Sequence, residues 1–89
     1  MKGKIWKENK FEIDCYEEAV IFAKERQWAA DQKITETKEG IKFKFTSTQY
    51  YKVLQWTLSC GCNATPRKPQ KLVDDWKWHV EQMAVPSVL

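Results

Sequence analysis

Apolar and polar side chains alternate in the first clear element of the chain. Phe11, Ile13 and Cys15 are separated by Glu12 and Asp14, the two-residue period of a strand with one buried face. The period then lengthens. In EEAVIFAKERQW, entered after Asp14 or Tyr16, Ala19, Phe22 and Ala23 recur at helical spacing with Val20 beside them. Two glutamates occupy the first turn and Lys24 and Arg26 lie near the end, which predicts a helix of about three turns. QKITETKEGIKFKFTS returns to alternation and reads as a hairpin. Ile34 opens one strand, Lys38-Glu39-Gly40 makes the turn, and Gly40 is expected to supply a positive φ there. On the returning strand Ile41, Phe43 and Phe45 share one face and Lys42 and Lys44 the other.

A second helix follows in STQYYKVLQWTLSCG, with Ser47 or Thr48 as the expected N-cap and Tyr50, Val53, Leu54, Thr57 and Leu58 as the apolar stripe. Gly61 is placed to end it. CNATP predicts a short strand, and Pro66 and Pro69 are expected to bracket a basic loop. PQKLVDDWKWHVEQM closes the pattern as a helix with Leu72, Trp76, Val80 and Met83 on one side. The order βαββαβ plus one helix predicts an α+β ferredoxin-like plait: a four-stranded antiparallel sheet, helices on one face, right-handed crossovers, and an extra C-terminal helix.

Size changes this picture little. At 89 residues with 43% hydrophobic side chains and five tryptophans, one small domain with its own core is expected, and a large enzyme with a cofactor domain is excluded. Charge changes it more. The formal net charge is +3, and residues 1–10 alone carry four lysines against one glutamate. The remaining residues hold equal numbers of acids and bases, so the basic character reads as a property of the first ten residues. No apolar run is long enough to span a membrane, and the charged N-terminus lacks the apolar core of a signal peptide. Three cysteines, Cys15, Cys60 and Cys62, are few and odd in number, which predicts unpaired thiols in a reducing cytoplasm.

Candidate chemistry is sparse. Phe43 and Phe45 share the face of Ile41, which must be the buried one, so the open face of the sheet has no aromatics for stacking RNA bases. It instead sets Lys42 and Lys44 against Glu12 and Asp14, an arrangement expected to form cross-strand ion pairs. Cys60-Gly61-Cys62 lacks the second ligand pair of a zinc site, and the cysteines are expected to behave as small apolar residues. His79 is the sole histidine and sits at the edge of an apolar stripe, while no Ser, Thr or Cys has the context of an activated nucleophile. No catalytic, metal or cofactor role is therefore expected. Two features point to binding. Trp78 lies about 200° round the helix from Trp76 among polar neighbours, which fits either a partner-contacting Trp or one covered by the N-terminal tail of the same chain. Arg67, Lys68 and Lys71 surround the last helix start, where an anion is favoured, against the simpler expectation of a solvated basic loop.

Residues 56–83, WTLSCGCNATPRKPQKLVDDWKWHVEQM, resemble the C-terminal extension, or WCX domain, of WYL-domain bacterial transcriptional regulators. The shared pattern is a Trp-x-Leu-Ser-x-Gly helix end, a short strand, a Pro after a charged residue, and a Leu in a long helix that ends near a Met. Trp56, Leu58, Ser59, Gly61, Pro69, Leu72 and Met83 fall in register. The first half is similar to the same family's strand, helix ending in Arg-x-Trp, following Gln and Gly-containing hairpin, through Arg26, Trp28, Gln32 and Gly40. The match runs over residues 11–84. Where many members have His-Pro-Ser, this chain has Ala29, Ala30 and Asp31, and Asp31 would oppose an anion.

The resemblance implies a non-catalytic regulatory domain that follows a winged helix and a WYL domain and supports homodimerisation and effector sensing. The implied effector is anionic or a nucleic-acid fragment. Duplex DNA would not be read by sequence without the winged helix. On this basis residues 1–10 form a basic linker, 11–85 the domain and 86–89 a tail. Arg26, Gln32, Arg67 and Lys68 are the expected ligand-binding residues, and Trp78 the interface residue. The competing expectation is a free-standing plait that binds a small molecule or an oligonucleotide.

Overall fold

Strand β1 (Asn9–Tyr16) lies inside the sheet and pairs antiparallel with two neighbours, β3 (Gly40–Ser47) and β4 (Ala64–Lys68). Strand β2 (Lys33–Glu36) pairs antiparallel with the far side of β3, so the sheet order is β2-β3-β1-β4. With α1 (Glu18–Glu25), α2 (Tyr50–Ser59) and α3 (Gln70–Ala84), the chain runs β1-α1-β2-β3-α2-β4-α3. This is the α+β domain with a four-stranded antiparallel sheet that the alternating and helical periods predict. The computed structural model describes residues 8–84; the expected tail and most of the expected linker lie outside them. No helix among the described residues is long and apolar enough to cross a membrane.

The alternation in β1 and β3 becomes the core directly. Phe11, Ile13 and Cys15 pair in register with Phe45, Phe43 and Ile41, and all six are buried. Ala19 and Ala23 of α1, Val53, Leu54 and Trp56 of α2, and Leu72 of α3 pack in the same cluster. Fully burying a side chain of Phe or Ile size contributes roughly 1.5–3 kcal/mol relative to exposure, so these pairs anchor the sheet to its helices. Tyr50 ties α2 to α3: its hydroxyl donates to Asp75, and the Lys71 ammonium lies 4.6 Å from its ring centroid while also pairing with Asp75.

Several local expectations are corrected. Gly40 does not have a positive φ; among the described glycines only Gly61 does, at 62°. Gly40 is needed because a Cβ there would lie 2.0 Å from the Cys15 carbonyl oxygen, inside the β1–β3 ladder. Gln49, not Ser47 or Thr48, precedes α2, and Ser47 Oγ instead accepts the Gln49 N–H in the turn before it. Helix α1 has eight residues and leaves Phe22 half exposed, because only the small Ala19 and Ala23 approach the sheet closely. Pro66, Arg67 and Lys68 belong to β4 rather than to a loop. That strand is an edge strand, where a proline's missing N–H costs no ladder bond. Strand β1 also begins at Asn9, which takes Lys10 into the sheet.

Candidate functional site

The segment between α1 and β2 builds one wall of a polar groove. Arg26 leaves the helical conformation at φ −91°, ψ 139°. Gln32 then closes the loop on itself, its side-chain oxygen accepting the Trp28 N–H at 2.7 Å and its amide donating to the Arg26 carbonyl at 2.8 Å. Asp31 fastens the loop to the sheet by accepting the Thr46 N–H at 3.0 Å. These bonds hold the Trp28 ring nearly parallel to Phe45, with centroids 5.6 Å apart, and edge-on to Trp56 at 6.2 Å. The Arg26 guanidinium carbon lies 5.2 Å from the Trp28 centroid, within cation–π range.

Between this loop and α2 lies a groove of about 550 Å³. Trp28 and Trp56 supply its aromatic side, Gln49 and Gln55 its amides, and Arg26 and Lys52 its positive charge. Neither cation has an ion-pair partner among the described residues. A contiguous hollow of about 510 Å³ shares Arg26 and Trp56 and is bordered by the half-exposed Phe22. Trp28 Nε1 is buried without a hydrogen-bond partner. Chemically, the groove offers two cations, amides and aromatic surface without a facing acid–base pair.

The expected ligand residues are divided between two places. Arg26 lines the groove, and Gln32 supports it with both of its side-chain atoms engaged in the loop. Arg67 and Lys68 lie on the opposite, open face of the sheet. There Arg67 Nε donates to Asp14 at 2.7 Å, and Lys42 reaches Glu12 and Asp14 at 3.0 Å each. The cross-strand ion pairs expected from the alternation are thus present. Glu12 is held below its ordinary pKa chiefly by the Lys42 hydrogen bond. Burial pushes Asp14 up, but its bonds to Arg67 and Lys42 outweigh that and leave it lowered. Arg67, Lys68 and Lys71 do not converge on one anion, since Lys71 is turned to Asp75 and Tyr50.

The remaining candidates fall as follows. Trp78 is 57% exposed and touches His79 edge-on. Cys15 is a core residue whose thiol is pushed up to about 12 by burial, and Cys60 is half-buried and also raised by burial. Cys62 is exposed, which corrects its expected place among the apolar residues; the single turn Gly61–Asn63 carries it outward. No group of three metal-ligating side chains occurs among the described residues. Lys52 is the groove residue that sequence reasoning missed, because α2 offers it only as a polar position outside the apolar stripe. No protein-family model, curated protein or solved structure matches the chain.

Proposed function

We propose that the domain is a non-catalytic sensing module that binds a small organic anion in the groove of Arg26, Trp28, Lys52 and Trp56. Its framework is read as a ferredoxin-like plait with an added helix. The observation that carries the proposal is the pair of cations without ion-pair partners beside two tryptophans, in a groove whose loop is fixed by Gln32 and Asp31. A concave site with aromatic walls and a few placed polar groups is what ligand recognition requires. Two of the three thiols support a binding role rather than nucleophilic chemistry: burial raises the pKa of Cys15 and of Cys60. Three free cysteines support residence in the cytoplasm.

The resemblance to the WCX domain of WYL regulators extends the proposal. In that setting the groove senses an effector, a winged helix and WYL domain read the DNA, and a second copy docks through the exposed Trp78. The groove and the docking residue are far enough apart in role to be tested separately. Titration of mononucleotides, short oligonucleotides and dicarboxylates, followed by tryptophan fluorescence, is expected to give a saturable change from Trp28 and Trp56. Combining Arg26→Ala with Lys52→Ala is expected to weaken that ligand at least about tenfold, the effect of losing roughly 1.4 kcal/mol. No saturable response to any anion in the panel would sink the sensing role. For docking, sedimentation at high micromolar concentration is expected to show a dimer that Trp78→Ala dissociates; a strict monomer sinks autonomous dimerisation.

A further inference from the structure

The open face of the sheet is electrostatically unbalanced at one end. Strand register aligns Lys33 of β2, Lys44 of β3, Glu12 of β1 and Lys68 of β4 in a single row across all four strands. Lys33 and Lys44 are direct cross-strand partners, and like charges so placed repel. Lys10 joins them from the same face of β1, two residues before Glu12.

Lys68 reaches this face because β4 is bulged. Pairing slips between Ile13, opposite Pro66, and Glu12, opposite Lys68, which leaves Arg67 as the extra residue. Both Arg67 and Lys68 then serve the open side, the first against Asp14 and the second beside Glu12. The neighbouring row is balanced instead: Lys42 sits between Thr35 and Asp14 and is bonded to the carboxylate at 3.0 Å.

Lys10, Lys33, Lys44 and Lys68 line one hollow of about 360 Å³. The two acids that share it are already engaged, Glu12 by Lys42 at 3.0 Å and Asp31 by the Thr46 N–H at 3.0 Å. Lys44 makes a long ion pair with Glu12 at 3.9 Å, and Lys10, Lys33 and Lys68 make no ion pair among the described residues. Phe11 and Phe45 border the hollow but are 1% and 3% exposed, so no ring face is open to a nucleobase.

We propose that this hollow binds a condensed-phosphate group, a di- or triphosphate, through the four lysines. A compact multivalent anion relieves the Lys33–Lys44 repulsion and gives each ammonium donor an acceptor. The small size of the hollow, about 360 Å³, favours a compact anion over an extended one. The site lies across the sheet from the Arg26–Lys52 groove, shares no residue with it, and stands or falls independently.

Calorimetry with inorganic triphosphate at low salt tests it, with orthophosphate as the comparison. Triphosphate is expected to bind at least about tenfold tighter than orthophosphate and to weaken steeply between about 50 and about 200 mM salt. Combining Lys33→Gln with Lys68→Gln is expected to reduce affinity at least tenfold. The same variant is expected to keep or raise the melting temperature, because a repulsive pair is gone; this also shows that it folds. Lys52→Gln in the groove should leave triphosphate binding unchanged. Equal affinity for a nucleoside triphosphate and inorganic triphosphate supports recognition of the phosphates alone. Absence of binding at millimolar triphosphate, binding unchanged by the double substitution, or tenfold tighter binding of an oligonucleotide would each overturn the proposal.

Discussion

The two faces of this one sheet are built from the same strands and obey different rules. On the inner face Phe11, Ile13 and Cys15 meet Phe45, Phe43 and Ile41, and nothing polar intervenes. Contact there is close and shape-dependent, so a lost group leaves a cavity that neighbours cannot refill. On the outer face the intervening residues Glu12 and Asp14 meet Lys44 and Lys42, with side chains that retain some access to water. Those bonds can be exchanged for water at modest cost. The inner face therefore determines whether the domain folds, and the outer face is free to carry charge arrangements that do not maximise stability.

The sharpest way to break the comparison is in the core. Phe43→Ala is expected to cost about 3–5 kcal/mol in urea unfolding, since its ring packs tilted against Phe45 and edge-on to Trp56. A loss below about 1 kcal/mol would mean that the inner face is not close-packed. Gly40→Ala comes next. The added Cβ meets backbone rather than a flexible side chain, so β1 and β3 must shift, at about 1–3 kcal/mol.

The outer face is the smallest term, and it is pH-sensitive. Glu12 and Asp14 are both lowered from ordinary values of 4.5 and 3.8. A carboxyl whose pKa is depressed in the folded state stabilises the protein above its unfolded value and loses that contribution as pH falls through the folded one. Stability is thus expected to decline below about pH 4.5, with the loss concentrated beneath Asp14's ordinary value. Lys42→Met is expected to cost about 1 kcal/mol at neutral pH, given partial exposure, and to flatten the acid limb. An acid limb identical in the wild type and Lys42→Met would assign the decline to other groups.

The groove and the lysine hollow were legible to different degrees. Arg26, Trp28 and Gln32 stand out in sequence through the family resemblance, although Gln32 serves the loop rather than standing free for a ligand. Lys52 has no such signal, because a lysine on the polar side of a helix looks the same whether it faces solvent or a groove. Lys10 reads as linker, and Lys68 as loop, until strand pairing shows otherwise. The four lysines of the hollow come from four separate strands and share no spacing along the chain.

What the amino-acid sequence determined by itself is the set of local periods: which residues alternate, which recur at helical spacing, and hence the element order and the core of β1 and β3. Those patterns are short-range, and burial of one face is their direct physical consequence. Tertiary structure alone decided the rest. Register, the Arg67 bulge and the close approach at Gly40 depend on which strand lies beside which, and the net charge of +3 acquires meaning only through them. Part of that charge belongs to Lys10, which stands with Lys33, Lys44 and Lys68 because hydrogen-bonded pairing brings distant segments side by side.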